Sequence, residues 1–174
     1  MKFCSNCAHS ITWGFVKGDH IPRFYCENCG VIHYKNPLII VGCLPIWEDK
    51  VMLCRRGIEP QLGLWNIPGG FMENGETVEQ GAIREMLEET FCHVQHLTLH
   101  TVFNVVYANQ VHIHFLAEMV DLNYQTTPES TEIQLFTEGG IPWKDVAFES
   151  TKFALRHYFE DRKQGLRQIH MGNT

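Results

Sequence analysis

The stretch Gly69-Gly70-Phe71-Met72-Glu73-Asn74-Gly75-Glu76-Thr77-Val78-Glu79-Gln80-Gly81-Ala82-Ile83-Arg84-Glu85-Met86-Leu87-Glu88-Glu89 joins a glycine-rich loop to a run of helical character. At about 100° per residue, Glu85, Glu88 and Glu89 project from such a helix within an arc of about 100°. Three carboxylates on one side repel one another and raise each other's pKa, so the arrangement is costly unless cations offset it. Hard oxygen ligands of this kind select Mg2+ or Mn2+. A solvated acidic helix face is the plainer alternative. The preceding loop, Leu64 to Glu76, favours the metal reading, because Pro68, Gly69, Gly70 and Gly75 suit a tight turn that brings backbone carbonyls close to an ion.

Thr77-Val78-Glu79-Gln80 reads as a capping box that starts the helix at Thr77 and leaves Glu76 just outside it. The helix is expected to run to about Phe91, with Ile83, Met86 and Leu87 as the apolar arc that packs on a sheet. Upstream, Leu38 to Trp47 and Val51 to Arg56 flank the turn Glu48-Asp49-Lys50 as a hairpin. Downstream, Leu97 to Val106 and Val111 to Val120 are joined at Ala108-Asn109-Gln110, with a further strand near Ile133 to Phe136. A second helix is expected from Thr151 to about Lys163, where Phe153, Ala154, His157 and Tyr158 recur at helical spacing. Together these elements predict an α/β fold around a mixed sheet.

Ahead of it, Cys4-x2-Cys7 and Cys26-x2-Cys29 carry the spacing of a zinc ribbon, four thiolates around one structural Zn2+. Ala8 and Gly30 follow the two pairs as turn positions. A redox pair or disulfides are the rivals, and neither pair has the βαβ context of a redox motif. Cys43, Cys54 and Cys92 sit in apolar runs as inert core thiols. The expected division is a ribbon over residues 1–35, a catalytic domain over 36–163 and a tail over 164–174 that frays beyond Gly165.

The formal net charge of −6 disfavours broad binding to a nucleic-acid backbone. No apolar run approaches the roughly 20 residues of a bilayer span, and Met1-Lys2-Phe3-Cys4 leads into the ribbon without an apolar signal core. A cytoplasmic protein in a reducing compartment is expected, with nucleic acid disfavoured as a partner, no membrane, and a small anionic ligand left open because a local metal site can outweigh global charge.

The pattern Gly70-x5-Glu76-x7-Arg84-Glu85-Met86-x-Glu88-Glu89 resembles the signature of the Nudix hydrolases, which cleave nucleoside diphosphates linked to another moiety. Phe91 stands where that family usually has glycine, and a bulky residue in the left-handed conformation costs roughly 1 kcal/mol or more. The resemblance implies a Nudix α/β/α sandwich preceded by the zinc ribbon. It implies that Glu85, Glu88 and Glu89 bind Mg2+ (or Mn2+) with the Gly70 carbonyl, and that Arg84 and Glu76 form an ion pair orienting the cluster. Glu85 is the first candidate for general base, followed by Glu132 or Glu129 in the loop Pro128-Glu129-Ser130-Thr131-Glu132, whose plainer reading is a polar connector. Many relatives are dimers, which leaves a homodimer open.

A cysteine ribbon ahead of such a domain resembles two groups, NADH pyrophosphatases and ADP-ribose or FAD pyrophosphatases. The Ser-Gln-Pro-Trp-Pro-Phe-Pro run of the first group has no counterpart after Cys92, whereas Gly63-Leu64-Trp65 and Ile141-Pro142-Trp143 fit the second. The expected reaction is Mg2+-dependent hydrolysis of FAD or ADP-ribose with release of AMP. The alternatives are a non-catalytic ligand sensor and an RNA-end processing enzyme, and for the latter only Lys2, His9, Lys17, His20, Arg23 and Lys35 lend the ribbon charge. His112 and His114 share a strand face, and a packed pair is favoured over a metal or diphosphate site for want of a third ligand.

Overall fold

Cys4 and Cys26 each open a turn that closes on itself. The Ala8 amide donates to the Cys4 carbonyl and the Gly30 amide to the Cys26 carbonyl, both at 2.9 Å. Ala8 and Gly30 take φ of 60° and 71° to do so, and only glycine reaches that region without steric cost. The computed structural model describes residues 1–174, which fall into two units, Met1–Asn36 and Pro37–Thr174. In the smaller, β1 (Thr12–Gly14), β2 (Arg23–Tyr25) and β3 (Ile32–His33) form an antiparallel sheet.

The larger unit contains β4 (Leu38–Trp47), β5 (Lys50–Arg56), β6 (Trp65–Asn66), β7 (Gly69–Phe71), α1 (Val78–Thr90), β8 (Val94–Val105), β9 (Gln110–Met119), β10 (Ser130–Phe136), α2 (Glu149–Gln164) and β11 (His170–Asn173). Its sheet runs in the order β10-β5-β4-β9-β8-β11, with β6 on β5 and β7 on β4. It is mixed: β4 with β9 and β8 with β11 are parallel, and the other pairs are antiparallel. No helix is long and apolar enough to cross a membrane.

Alternation along the strands builds a core on each face. Leu44, Val51, Leu53 and Trp65 pack with Ala154, Leu155, Tyr158 and Phe159 of α2. Val41, Cys43, Met52, Phe115, Ala117 and Met119 pack with Ala82 and Met86 of α1. The sheet is thereby covered by a helix on either side, the α/β/α sandwich that the sequence predicts. Burial pushes the Cys43 and Cys92 thiols up, to about 12 and about 11, and the Cys54 thiol up as well, so all three stay protonated.

One expectation is refined and three are corrected. The hairpin of β4 and β5 is zipped only at its turn, Ile46 with Val51 and Trp47 with Lys50. Beyond the turn the strands part, and β7 takes over β4 through Val41 with Gly70 and Gly42 with Gly69, so the glycine pair of the motif becomes part of the sheet. Secondly, α1 buries Gly81, Ala82, Met86 and Thr90, while Ile83 and Leu87 stay exposed. The small residues Gly81 and Ala82 let the helix approach β4 closely, which turns the acidic arc along the sheet and rotates Ile83 and Leu87 outward. Thirdly, the tail does not fray past Gly165. Residues His170–Asn173 form β11 beside β8, and Gly172 lies so close to Phe103 and Phe153 that a methyl there would sit 2.8–2.9 Å from their rings. The second helix also starts earlier than Thr151, at Glu149, whose charge suits the first turn, and ends on Gly165 at φ 66°.

Candidate active site and metal centres

The start of α1 is fixed as the sequence predicts. The Gln80 amide donates to Thr77 Oγ1 at 3.2 Å, and the Thr77 amide donates to Gln80 Oε1 at 2.8 Å. Glu76, one residue earlier, accepts from the Glu73 amide at 2.7 Å and from Arg84 Nε and Nη2 at 3.0 and 2.8 Å. Those donors hold the Glu76 carboxyl far below the usual range, at about 2, the Arg84 fork being the largest influence. Gly81 is required here, because a Cβ would lie 2.6 Å from Glu76 Oε1 and 2.9 Å from Val41 Cγ2.

Arg84 does more than pair with Glu76. Its Nη2 donates to the Phe71 carbonyl at 3.0 Å, and its Nη1 donates to Glu85 Oε1 at 2.7 Å and Glu88 Oε2 at 3.1 Å. One guanidinium thus ties the loop to the helix and offsets part of the acidic charge that the sequence reading assigns to cations alone. Glu85 backs onto Gly70: a Cβ on that residue would lie 2.5–2.7 Å from the Glu85 carboxylate. Burial pushes the Glu85 carboxyl up despite Arg84. Glu89 is drawn the other way, accepting from the Gly69 amide at 3.4 Å and the Ser130 hydroxyl at 3.1 Å, and burial pushes its carboxyl up to about 7. Glu88 stands largely in solvent.

Glu85 and Glu89 therefore border Gly70 and Gly69 while Glu88 joins them through Arg84, and the three are not gathered as closely as the four cysteines. The donor set fits a hard dication: every available atom is oxygen, and the missing side chain of Gly70 lets the Glu85 carboxylate lie directly against the loop backbone.

Of the two loop glutamates, Glu132 lies on β10 and receives Arg55 Nη1 at 3.1 Å on the surface. Glu129 precedes the strand, and its charge raises the Glu85 carboxyl, which sets it near the cluster. Two further residues shape the site without belonging to a sequence motif: Ser130, whose hydroxyl holds Glu89, and Gly57, which packs on the Pro128 carbonyl while its amide donates to the Glu129 carbonyl at 2.7 Å. A glycine directly after Arg55-Arg56 is the one sequence signal that marks this close approach. His112 and His114 are a packed pair: His112 meets Ser150 Oγ at 2.8 Å and Gln110 Oε1 at 3.1 Å, and His114 meets Thr101 Oγ1 at 3.0 Å. A surface groove of about 600 Å3 is lined by Trp47, Tyr158, Asp161, Arg162 and Arg167, and none of the acidic cluster borders it.

In the ribbon, Cys4 Sγ lies 3.6 Å from Cys29 Sγ and Cys7 Sγ lies 3.5 Å from Cys26 Sγ, with all four sulfurs within 4.8 Å of one another. Zn–S bonds of about 2.3 Å in a tetrahedron place sulfurs about 3.8 Å apart, so the set fits zinc with little movement. Disulfides need about 2.05 Å, and all seven cysteines are free.

This geometry defines a class. Residues 37–161 match the model of the NUDIX domain and residues 2–35 that of the Nudix N-terminal zinc ribbon, and the chain belongs to the Nudix hydrolase family. Among particular relatives, the crystal structure of a NUDIX hydrolase from Nitrosomonas europaea superimposes with a TM-score of 0.95 at 44% identity, covering 100% of this chain and 99% of that one. An ADP-ribose pyrophosphatase of Methanocaldococcus jannaschii is 40% identical over 33% of this chain and 34% of its own. The NAD-capped RNA hydrolase NudC of Pseudomonas aeruginosa is 31% identical over 76% of this chain and 45% of its own. The chain thus spans less than half the length of these two curated relatives.

Proposed function

We propose that this protein hydrolyses the diphosphate bond of a small nucleoside diphosphate-linked compound of the ADP-ribose or FAD type, releasing AMP. The observation that carries the reading is the seat of Glu85 on Gly70, braced by Arg84 between Glu76 and Glu88. Glu85, Glu88, Glu89 and the Gly70 carbonyl would hold Mg2+ or Mn2+. Such ions neutralise diphosphate oxygens and acidify a bound water for in-line attack on phosphorus. The chain's own contribution is positioning: Arg84 fixes the loop and helix, Ser130 and the Gly69 amide orient Glu89, and Glu85 or Glu129 accepts the proton of the attacking water. General-base help of that kind is worth about 10²–10⁴ in rate. The free state of all seven cysteines supports a reducing, cytoplasmic setting.

A second reading, removal of a nucleotide cap from RNA, is supported by the likeness to NudC, which extends over 76% of this chain. The acidic balance of the chain, −6, weighs against it. A panel of ADP-ribose, FAD, NADH, CoA and NAD-capped RNA, incubated with Mg2+ or Mn2+ and compared between native protein and Glu88→Gln and Glu89→Gln, separates the readings. Turnover of ADP-ribose or FAD lost in both variants supports the first. Preferential decapping favours the second, and inertness toward every compound returns the protein to a ligand sensor.

A further inference from the structure

A second cluster of metal-ligating side chains lies in the larger unit. His100 of β8, Asp161 of α2 and His170 of β11 each bring one ligand atom to within 4.8 Å of the other two. His100 is 1% exposed and Asp161 8% exposed, so this is an interior cluster. We propose that these three residues bind a divalent transition-metal ion of the zinc class, apart from the cysteine ribbon and the acidic helix.

Hydrogen bonding at His100 is the first support. Its Nε2 lies 2.9 Å from the Ala154 carbonyl, which can only accept, so Nε2 carries the ring proton and Nδ1 keeps a lone pair. That Nδ1 is buried and has no hydrogen-bond partner. An orphaned buried acceptor is unfavourable by itself, yet it is the state a ligating imidazole requires. Metal-binding histidines characteristically donate their other N–H to a backbone carbonyl, which sets tautomer and ring orientation, and the Ala154 carbonyl does this here.

The other two residues complete the set. His170 Nε2 meets Asp161 Oδ2 at 2.9 Å, and the Gln168 amide also donates to that oxygen at 3.2 Å. His157 stacks on His170 with ring centroids 4.0 Å apart, which restrains the ring from the helix side. A cation central to atoms no more than 4.8 Å apart lies within about 2.8 Å of each, and shifts of under an ångström bring them to the ordinary 2.0–2.2 Å. Two imidazoles and one carboxylate suit zinc, cobalt or nickel rather than magnesium. Asp161 also lines the surface groove bordered by Tyr158, Arg162 and Leu166. A bound ion would bridge β8, α2 and β11.

Zinc itself is the probe, added to the full chain with the cysteine ribbon already loaded with zinc and with Mg2+ in large excess to occupy the acidic helix. Native protein should then hold one zinc ion more per chain than Asp161→Asn or His170→Gln, by elemental analysis after gel filtration. Its melting temperature should rise by about 5 °C or more at a hundredfold excess of zinc over the dissociation constant, and the variants' should not. Where a variant fails to fold, the native protein decides alone: the 15N resonance of His100 Nδ1 should shift on adding zinc and stay put on adding magnesium. Equal zinc content in folded native and variant chains, or an unmoved His100 resonance, overturns the site.

Discussion

Arg84 reaches back two helical turns to grip Glu76 with both Nε and Nη2, at 3.0 and 2.8 Å. The pair spans the capping box, so the angle at which the glycine loop meets α1 is set by one planar fork. Glu76→Gln keeps the shape but gives up the charge-assisted half of that grip. Supporting residues of this kind typically matter about 10–100-fold in metal affinity or activity. That loss is expected in kcat/KM for the preferred nucleotide, and Arg84→Lys should match it, since an ammonium cannot hold Glu76, Glu85 and the Phe71 carbonyl together.

Gly70→Ala and Gly57→Ala should fail in different ways. At Gly70 the new methyl meets the tip of Glu85, a side chain that can swing aside. The fold should therefore survive, with metal affinity and turnover falling at least about tenfold. At Gly57 the methyl meets the Pro128 carbonyl, which is backbone. Strain of about 1–3 kcal/mol in urea unfolding is expected there.

Phe91 closes α1 with φ 57° and ψ 8°, the left-handed conformation that disfavours a residue with a Cβ. Its ring is 53% exposed, so little burial compensates. Phe91→Gly should raise stability by about 0.5–1 kcal/mol, measured as a higher denaturation midpoint at unchanged slope.

His114 carries a pH signature. Burial holds it neutral, with its pKa lowered to about 3, and His112 and His100 push the same way. Unfolding restores an ordinary value of about 6.5, so between those limits the unfolded chain binds more protons than the native one. Stability is therefore full above about pH 6.5 and declines as pH falls toward 3, by at most about 1.4 kcal/mol per pH unit for this residue. His114→Gln, which keeps a partner for Thr101, should flatten that slope in denaturation curves taken from pH 7 to 4. An unchanged slope would remove His114 as its source.

The ribbon depends on its ion. Cys4→Ser leaves three thiolates, and structural zinc contributes about 10–16 kcal/mol of binding free energy in small cysteine sites. Amide exchange across β1, β2 and β3 should lose its protection in the variant. Cobalt-substituted native protein should show thiolate charge-transfer absorption that the variant lacks.

Local signals carried most of what the sequence disclosed. The capping box, the two cysteine knuckles and the continuous apolar run of β4 each depend on neighbours within a few residues, and each stands as expected. The outward turn of Ile83 and Leu87 was hidden, because periodicity marks an apolar stripe without saying whether small residues beside it pack more closely. β11 was hidden for a different reason: His170-Met171-Gly172-Asn173 has no strand character of its own and is held by a parallel partner some seventy residues earlier. Within the site, helical spacing places Glu85, Glu88 and Glu89 on one side of α1, and the Arg84–Glu76 pair was an expectation of the family resemblance that the geometry matches. The hold of Ser130 on Glu89 was not legible, since it joins positions forty-one residues apart.

The short final strand also has a protective consequence. Without it, the twelve residues of β8 would present a long open border of unpaired amides and carbonyls, a template on which another molecule's strand can lay itself. The four residues His170–Asn173 cover the Thr101–Asn104 part of that border and leave a shorter open stretch. Trimming them away should raise the light scattering of the protein on standing relative to the full chain.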